Sequence, residues 1–209
     1  MSSFKLVCGI GWNDVDYVVQ PKGEKACPFY KTWTNVLNRI STHKNYSDVS
    51  ICDEWKLFSN FRNWMIDQPW ENRDLDKDLR IIGSKVYSPE TCSFIPHRIN
   101  SIMLNLDKVN GNMPKGVSFT KRSGRLGKPY RAQVSDGNSR YIQLGYFDNP
   151  EDAHAAWLKG KKTIMLESID WWKNEDPSSF RVDIAENIGM IAGKLIPNVI
   201  AVANPYIEF

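Results

Sequence analysis

The chain has 209 residues, of which 42% are hydrophobic and 24% charged, the balance of an ordinary globular protein and not of a disordered or fibrous one. No apolar run approaches the roughly 20 residues that span a bilayer. The start, MSSFKLVCGIGWND, lacks a long apolar segment and a small-residue cleavage site, so a cytoplasmic location is expected. The net charge of +3 is unevenly spread: residues 1–114 carry 14 Lys+Arg against 13 Asp+Glu, residues 115–163 carry 10 against 4, and residues 164–209 carry 3 against 7. Such a local positive excess is the footprint of a polyanion-binding module.

Residues 1–26 read as irregular, with a short strand over Lys5–Ile10. A helix is predicted over residues 29–41, with Phe29, Trp33, Val36, Leu37 and Ile40 on one face. A second is predicted over 53–66, capped by Asp53 and turning Trp55, Phe58, Phe61 and Met65 inward. Short strands are predicted at Leu75–Leu79 and Lys85–Tyr87 around a turn at Ile82–Ser84, then a helix from Phe94 to Leu106. The alternation of Asp76 and Asp78 places both carboxylates on one strand face, an arrangement that can grip Mg²⁺ or Mn²⁺.

Turn formers cluster at Asn110–Pro114, so residues 111–114 are predicted to link two modules. Beyond them three strands are expected at Gly116–Lys121, Tyr130–Ser135 and Tyr141–Tyr146, with turns at Ser123–Gly124 and Asp136–Asn138. A helix follows, capped by Asp148 or Asn149, with Ala153, Ala156, Trp157, Gly160 and Ile164 inward. A last helix is predicted after Asp176–Pro177, with Phe180, Ile184, Ile188, Ile191 and Leu195 on one stripe. In the strands, Ala132, Val134, Ile142 and Leu144 point toward the helix. Arg131, Gln133, Ser135, Tyr141 and Gln143 point away, flanked by Lys115, Lys121, Arg122, Arg125, Lys128 and Arg140. Gln and Arg can pair with base edges, and Lys and Arg with phosphates.

The run from Gly116-Val117 through Tyr130-Arg131-Ala132-Gln133-Val134 and Ile142-Gln143-Leu144-Gly145-Tyr146-Phe147-Asp148 to Glu151-Asp152-Ala153-x-Ala155-Ala156-Trp157 resembles the Apetala/ethylene-response-factor DNA-binding family. The resemblance implies a three-stranded sheet packed on one helix over residues 115–163. It also implies double-stranded DNA as partner, met through Lys115, Ser118, Thr120, Gln133, Ser135, Tyr141 and Gln143. Several of these sites are Arg or Trp in plant members, so the plants' target sequence does not carry over.

The segments GIGWND, CPFYKTWTNVLNR, ICDEWKLFSNFRNWM and LDKDLRIIGSKVYSPETCSFIPHRIN resemble phage-encoded HNH-type homing endonucleases that carry an Apetala-type domain behind the catalytic part. The implied activity is hydrolysis or nicking of double-stranded DNA with a divalent cation, Mg²⁺ or Mn²⁺, in an infected bacterial cell. Asp76, Asp78 and Asn100 would be its metal ligands and His97 the general base. The family's usual strand histidine is absent from Leu75-Asp76-Lys77-Asp78-Leu79, so a catalytically inactive DNA-binding protein on a nuclease scaffold is the alternative. Cys27, Cys52 and Cys92, with a fourth group such as His43, are expected either to hold structural Zn²⁺ or to be buried free thiols. The fold class expected is α+β: an HNH-like ββα module over residues 1–110, the sheet-and-helix module, and a helical extension over 164–209.

Overall fold

The computed structural model describes residues 4–104, 113–120 and 127–195. The expected contacts Lys121, Arg122 and Arg125, the Ser123–Gly124 turn and residues 110–112 of the linker lie outside the described residues. The architecture is mixed α/β, with five α-helices and several small sheets among the described residues. Two compact units divide the chain, residues 1–95 and 96–209. No helix among the described residues is long and apolar enough to cross a membrane.

In the first unit, β1 (Lys5–Val7) lies within the strand expected over Lys5–Ile10 and forms an antiparallel hairpin with β2 (Gly11–Asn13), where irregular chain is expected. Its turn uses two left-handed residues, Cys8 at φ 52° and Gly9 at φ 69°. Helix α1 (Pro28–Thr42) buries Trp33, Val36 and Leu37, as its apolar period predicts. Gly11 lies under it so closely that a Cβ would come within 2.5 Å of the Trp33 ring.

The second predicted helix is broken. After β3 (Ser50–Ile51), a 3₁₀ turn at Glu54–Lys56 ends at the extended residue Leu57, and α2 runs only from Phe58 to Ile66. Two bonds account for the break. Trp33 Nε1 donates to Trp55 O at 2.7 Å, and Asp14 Oδ1 accepts the Ser59 N–H at the new helix start at 2.9 Å. Asp53 makes no side-chain cap; it pairs with Lys56 at 2.6 Å.

The next strands are β4 (Arg73–Asp76), β5 (Val86–Tyr87) and β6 (Ser93–Pro96), with β3 parallel to β5 and β4 beside β6. The expected strand over Leu75–Leu79 therefore ends at Asp76. Asp76 Oδ1 accepts the N–H groups of Asp78 at 3.0 Å and Leu79 at 2.7 Å, which turns the chain out of the strand. Trp33, Trp55, Phe58, Phe61, Met65, Tyr87 and Phe94 form the core. Several rings meet edge-on or tilted, as Tyr30–Phe58 does at 5.1 Å and Trp55–Trp64 at 4.5 Å, while Phe94 stacks on Trp64 at 5.8 Å.

The second compact unit begins at Pro96 and opens with α3 (His97–Met103). Contacts within this unit explain why. Arg98 Nε donates to Asp136 O at 3.3 Å, and its guanidinium lies 4.7 Å over the Trp171 ring. Gly137, at φ +84°, meets α3 so closely that a Cβ would stand 2.6 Å from Arg98 O.

Strands β7 (Val117–Phe119), β8 (Tyr130–Ser135) and β9 (Tyr141–Phe147) form an antiparallel sheet in the order β7-β8-β9, within two residues of the expected bounds. Helix α4 (Pro150–Glu175) starts as expected: Asn149 accepts the Asp152 N–H at 2.8 Å and Pro150 takes the first turn. It then runs far past Ile164, so the extension begins as one continuous helix with the sheet-packing segment. Helix α5 (Val182–Leu195) buries Ile184, Ala185, Ile188 and Ala192. Its contacts are with α4, where Trp172 is fully buried and donates through Nε1 to Ser179 Oγ at 2.9 Å.

Candidate nucleic-acid interface

Strand register decides which side chains share a face, because directly opposed residues of an antiparallel pair point the same way. Ser118 opposes Arg131, which opposes Tyr146; Gln133 opposes Gln143; Ser135 opposes Tyr141. Arg131 Nε donates to Ser118 Oγ at 3.2 Å across the first of these rows. The other face carries Val117, Ala132, Val134 and Gly145. Ala132 and Val134 are buried, and α4 packs against this sheet through buried Ala153 and Trp157.

The expected division into an apolar and a polar face therefore holds for β8. In β9 it holds with one irregularity. The register shifts between Ala132 and Gln133, so Leu144 has no directly opposed partner and Gly145 lies opposite Ala132. Both then fall on the helix side, a bulge that Gly145 permits at φ +138°. Leu144 fits because position 160 is glycine; a Cβ there would stand 2.8 Å from Leu144 Cδ1. Ile142, expected inward, stays 44% exposed at the sheet's end.

On the free face Tyr141 is 68% exposed and Gln143 is exposed, while Ser118, Arg131, Gln133, Ser135 and Tyr146 are half-buried. Tyr146 was not singled out from sequence, since the bulge is what brings it onto this face. Arg140 is exposed at the hairpin end. Lys128 forms an exposed ion pair with Asp148 at 3.3 Å. Thr120 is half-buried, its N–H donating to Pro129 O at 2.9 Å.

Lys115 departs from the flanking position expected of it. Its Nζ is buried, 5.8 Å over the Trp157 ring, and His154 Nδ1–H donates to Lys115 O at 2.9 Å. The next residue, Gly116, sits at φ +75°, and a Cβ there would lie 1.8 Å from Trp157 Cδ1. Only glycine lets the chain enter the sheet at this point. A cavity of about 390 Å³ opens beside it, lined in part by Lys115, Gln133, Ser135, Tyr141, Trp157 and Lys161. Lys161 was also missed from sequence, although it continues the buried stripe Ala153, Trp157, Ile164 at helical spacing.

The expected metal ligands and general base fall in different units: the ligands Asp76 and Asp78 in the first, the ligand Asn100 and the base His97 on α3 of the second. His97 Nε2 and Ser101 Oγ are hydrogen-bonded at 3.2 Å. Asp76 and Asp78 are not a matched pair on one strand. Asp76 caps the turn with Oδ1, and burial, with Asp78 nearby, pushes its carboxyl up to about 6 against the pull of the two N–H groups. Asp78 takes the buried ammonium of Lys77, which also donates to Ser84 O at 2.9 Å. Both carboxylates thus have partners within the chain, and as held here they do not fit a divalent ion.

The cysteines are free thiols set in and around the first unit's core, except exposed Cys8. Burial pushes the Cys92 thiol up to about 12 and raises that of Cys52, which opposes the thiolate form zinc requires. Among the described residues no three His, Cys, Asp or Glu side chains gather as a metal site. No protein-family model, curated protein or solved structure matches the chain.

Proposed function

We infer that this protein binds duplex DNA through the free face of the β7-β8-β9 sheet. The carrying observation is the register. It sets Ser118, Arg131, Tyr146, Gln133, Gln143, Ser135 and Tyr141 in three cross-strand rows on the face opposite α4. Amide and guanidinium side chains in such rows match the donor and acceptor edges of the major groove, and a two- or three-stranded sheet is narrow enough to enter it. The charge excess of residues 115–163 adds attraction for phosphates.

The test is fluorescence anisotropy of the full chain with a labelled duplex across a salt series. Affinity is expected to fall linearly with log salt concentration, as counterions leave the neutralised phosphates. Affinity that ignores salt, or that survives Arg131→Ala and Gln133→Ala together, would count against the sheet as the reader.

A second reading, metal-dependent nicking of double-stranded DNA, draws support from the pairing of β4 with β6 and from α3, which directly follows β6. Two paired strands with a helix directly after the second make the arrangement of a ββα nuclease motif. The engaged carboxylates of Asp76 and Asp78 weigh against it, so the non-catalytic reading ranks first. Supercoiled plasmid incubated with the protein and Mg²⁺ or Mn²⁺ separates the two. Nicking that Asp76→Ala abolishes, with duplex binding retained, would reverse that ranking.

A further inference from the structure

Strand β8 is paired on both sides, with β7 and β9, so its outward side chains stand at the centre of the sheet's free face. Arg131 is the basic residue of that centre. It is half-buried and directly opposed by Ser118 on β7 and by Tyr146 on β9. Its Nε–H donates to Ser118 Oγ at 3.2 Å across the strands. Arg140, by contrast, lies exposed at the hairpin end, and Lys128 precedes β8, paired with Asp148 at 3.3 Å.

The bond to Ser118 fixes how the Arg131 guanidinium is aimed. A guanidinium is planar and carries five N–H groups in a fixed fork. Ser118 engages the Nε–H, which sets the plane and leaves the hydrogens of Nη1 and Nη2 as a parallel pair of donors at the tip. On the major-groove edge only guanine presents two adjacent acceptors, O6 and N7. Adenine sets a donor beside its N7, thymine a methyl group beside O4, and cytosine offers a donor. A phosphate also takes two parallel donors. Phosphates line the groove walls, however, and the middle strand of a three-stranded sheet in the groove faces the floor, where the base edges lie. Holding a long side chain in one pose costs rotamer entropy, which a directional two-pronged contact offsets and a diffuse charge contact does not require.

We propose that Arg131 reads a guanine base, Nη1 and Nη2 donating to O6 and N7, with Ser118 as the positioning residue that aims it. The assignment rests on the duplex reading of the sheet and narrows it, from duplex DNA to duplexes that set a guanine against the Arg131 row. Ser118 acts on the base only through Arg131, whose Nε–H its oxygen holds. The Gln133–Gln143 row stands next on the same face, so the guanine belongs to a short site and is not read alone.

The test starts from a pool of duplexes with a randomised central segment, from which the full-length protein selects its preferred sequence. Each guanine of the selected duplex is then replaced in turn by 7-deazaguanine, which exchanges N7 for C–H and leaves Watson–Crick pairing intact. Competition anisotropy gives the ratio of the two affinities. For the wild-type protein one guanine is expected to favour the natural base by about tenfold or more, the worth of one hydrogen bond to a charged group. Arg131→Ala is expected to make the two duplexes bind equally. Ser118→Ala is expected to shrink the ratio by about 2- to 10-fold, and Ser118→Thr, which keeps the acceptor, to restore it. A bond that only stabilised the sheet would change overall affinity and leave the ratio unmoved. The wild-type and Ser118 ratios carry the test if Arg131→Ala fails to fold. A selected site without guanine, equal binding of the wild-type protein at every replacement, or a ratio retained by a folded Arg131→Ala protein overturns the guanine contact and leaves the sheet standing as reader. A ratio that Ser118→Ala does not move overturns the positioning role. Duplex affinity that survives Arg131→Ala and Gln133→Ala together overturns the sheet reading and the guanine contact with it.

Discussion

Replacing Lys161 with Met should make the second unit more stable at neutral pH and less so in alkali. The Lys161 ammonium is buried, and burial together with Lys115 lowers its amine from the ordinary 10.5 to about 8. At about 1.4 kcal/mol for each tenfold change in proton affinity, the charged form costs the fold about 3 kcal/mol. Met fills most of the same volume and removes that cost, but deprives Ile102 O of its donor, a loss of about 1 kcal/mol. The net gain near pH 7 is therefore about 2 kcal/mol. Below pH 8 folded and unfolded chains both hold the proton and the whole cost is present. Between pH 8 and 10.5 the unfolded chain holds more protons than the folded one, so rising pH favours folding of the wild-type protein. Above that window the cost has vanished, the neutral amine still donates to Ile102 O, and the variant is the less stable of the two. Urea titrations of both proteins at several pH values, followed by helical circular dichroism, measure the difference. Titrating groups that do not interact with Lys161 cancel in that comparison. A difference that stays constant from pH 7 to 10.5, or that widens, would refute the assignment of a buried charge at Lys161.

Gly116→Ala should destabilise the second unit by about 2–4 kcal/mol in the same urea assay, since it combines a left-handed φ with a Cβ 1.8 Å from Trp157. Gln133→Ala and Gln143→Ala should each weaken a preferred duplex by about 1–3 kcal/mol and random DNA little, whereas Arg140→Ala should weaken both alike. Competition anisotropy distinguishes the two patterns, and equal losses on both DNAs for the Gln variants would contradict base reading. Asn149→Ala should cost about 1 kcal/mol of stability in thermal unfolding, because the Asp152 N–H loses its acceptor.

Where local chemistry and tertiary packing agree, the fold is readable from residues. Arg131, Ala132, Gln133 and Val134 alternate without interruption, and Asn149-Pro150 is a strong helix start, so β8 and the opening of α4 fall as predicted. Elsewhere a long-range partner overrides the local pattern. The apolar period of residues 53–66 is continuous, but the Trp33 bond to Trp55 O and the Asp14 contact to Ser59 split it at Leu57. The Asp76–Lys77–Asp78 run alternates like a strand, yet a carboxylate that bonds two following N–H groups makes a turn. Helix α3 was legible as a helix, but its allegiance to the second unit depends on Asp136, Gly137 and Trp171, far along the sequence. The bulge at Leu144–Gly145 hides Tyr146 from any simple alternation, and Lys161 looks like a solvated lysine until its neighbours are known.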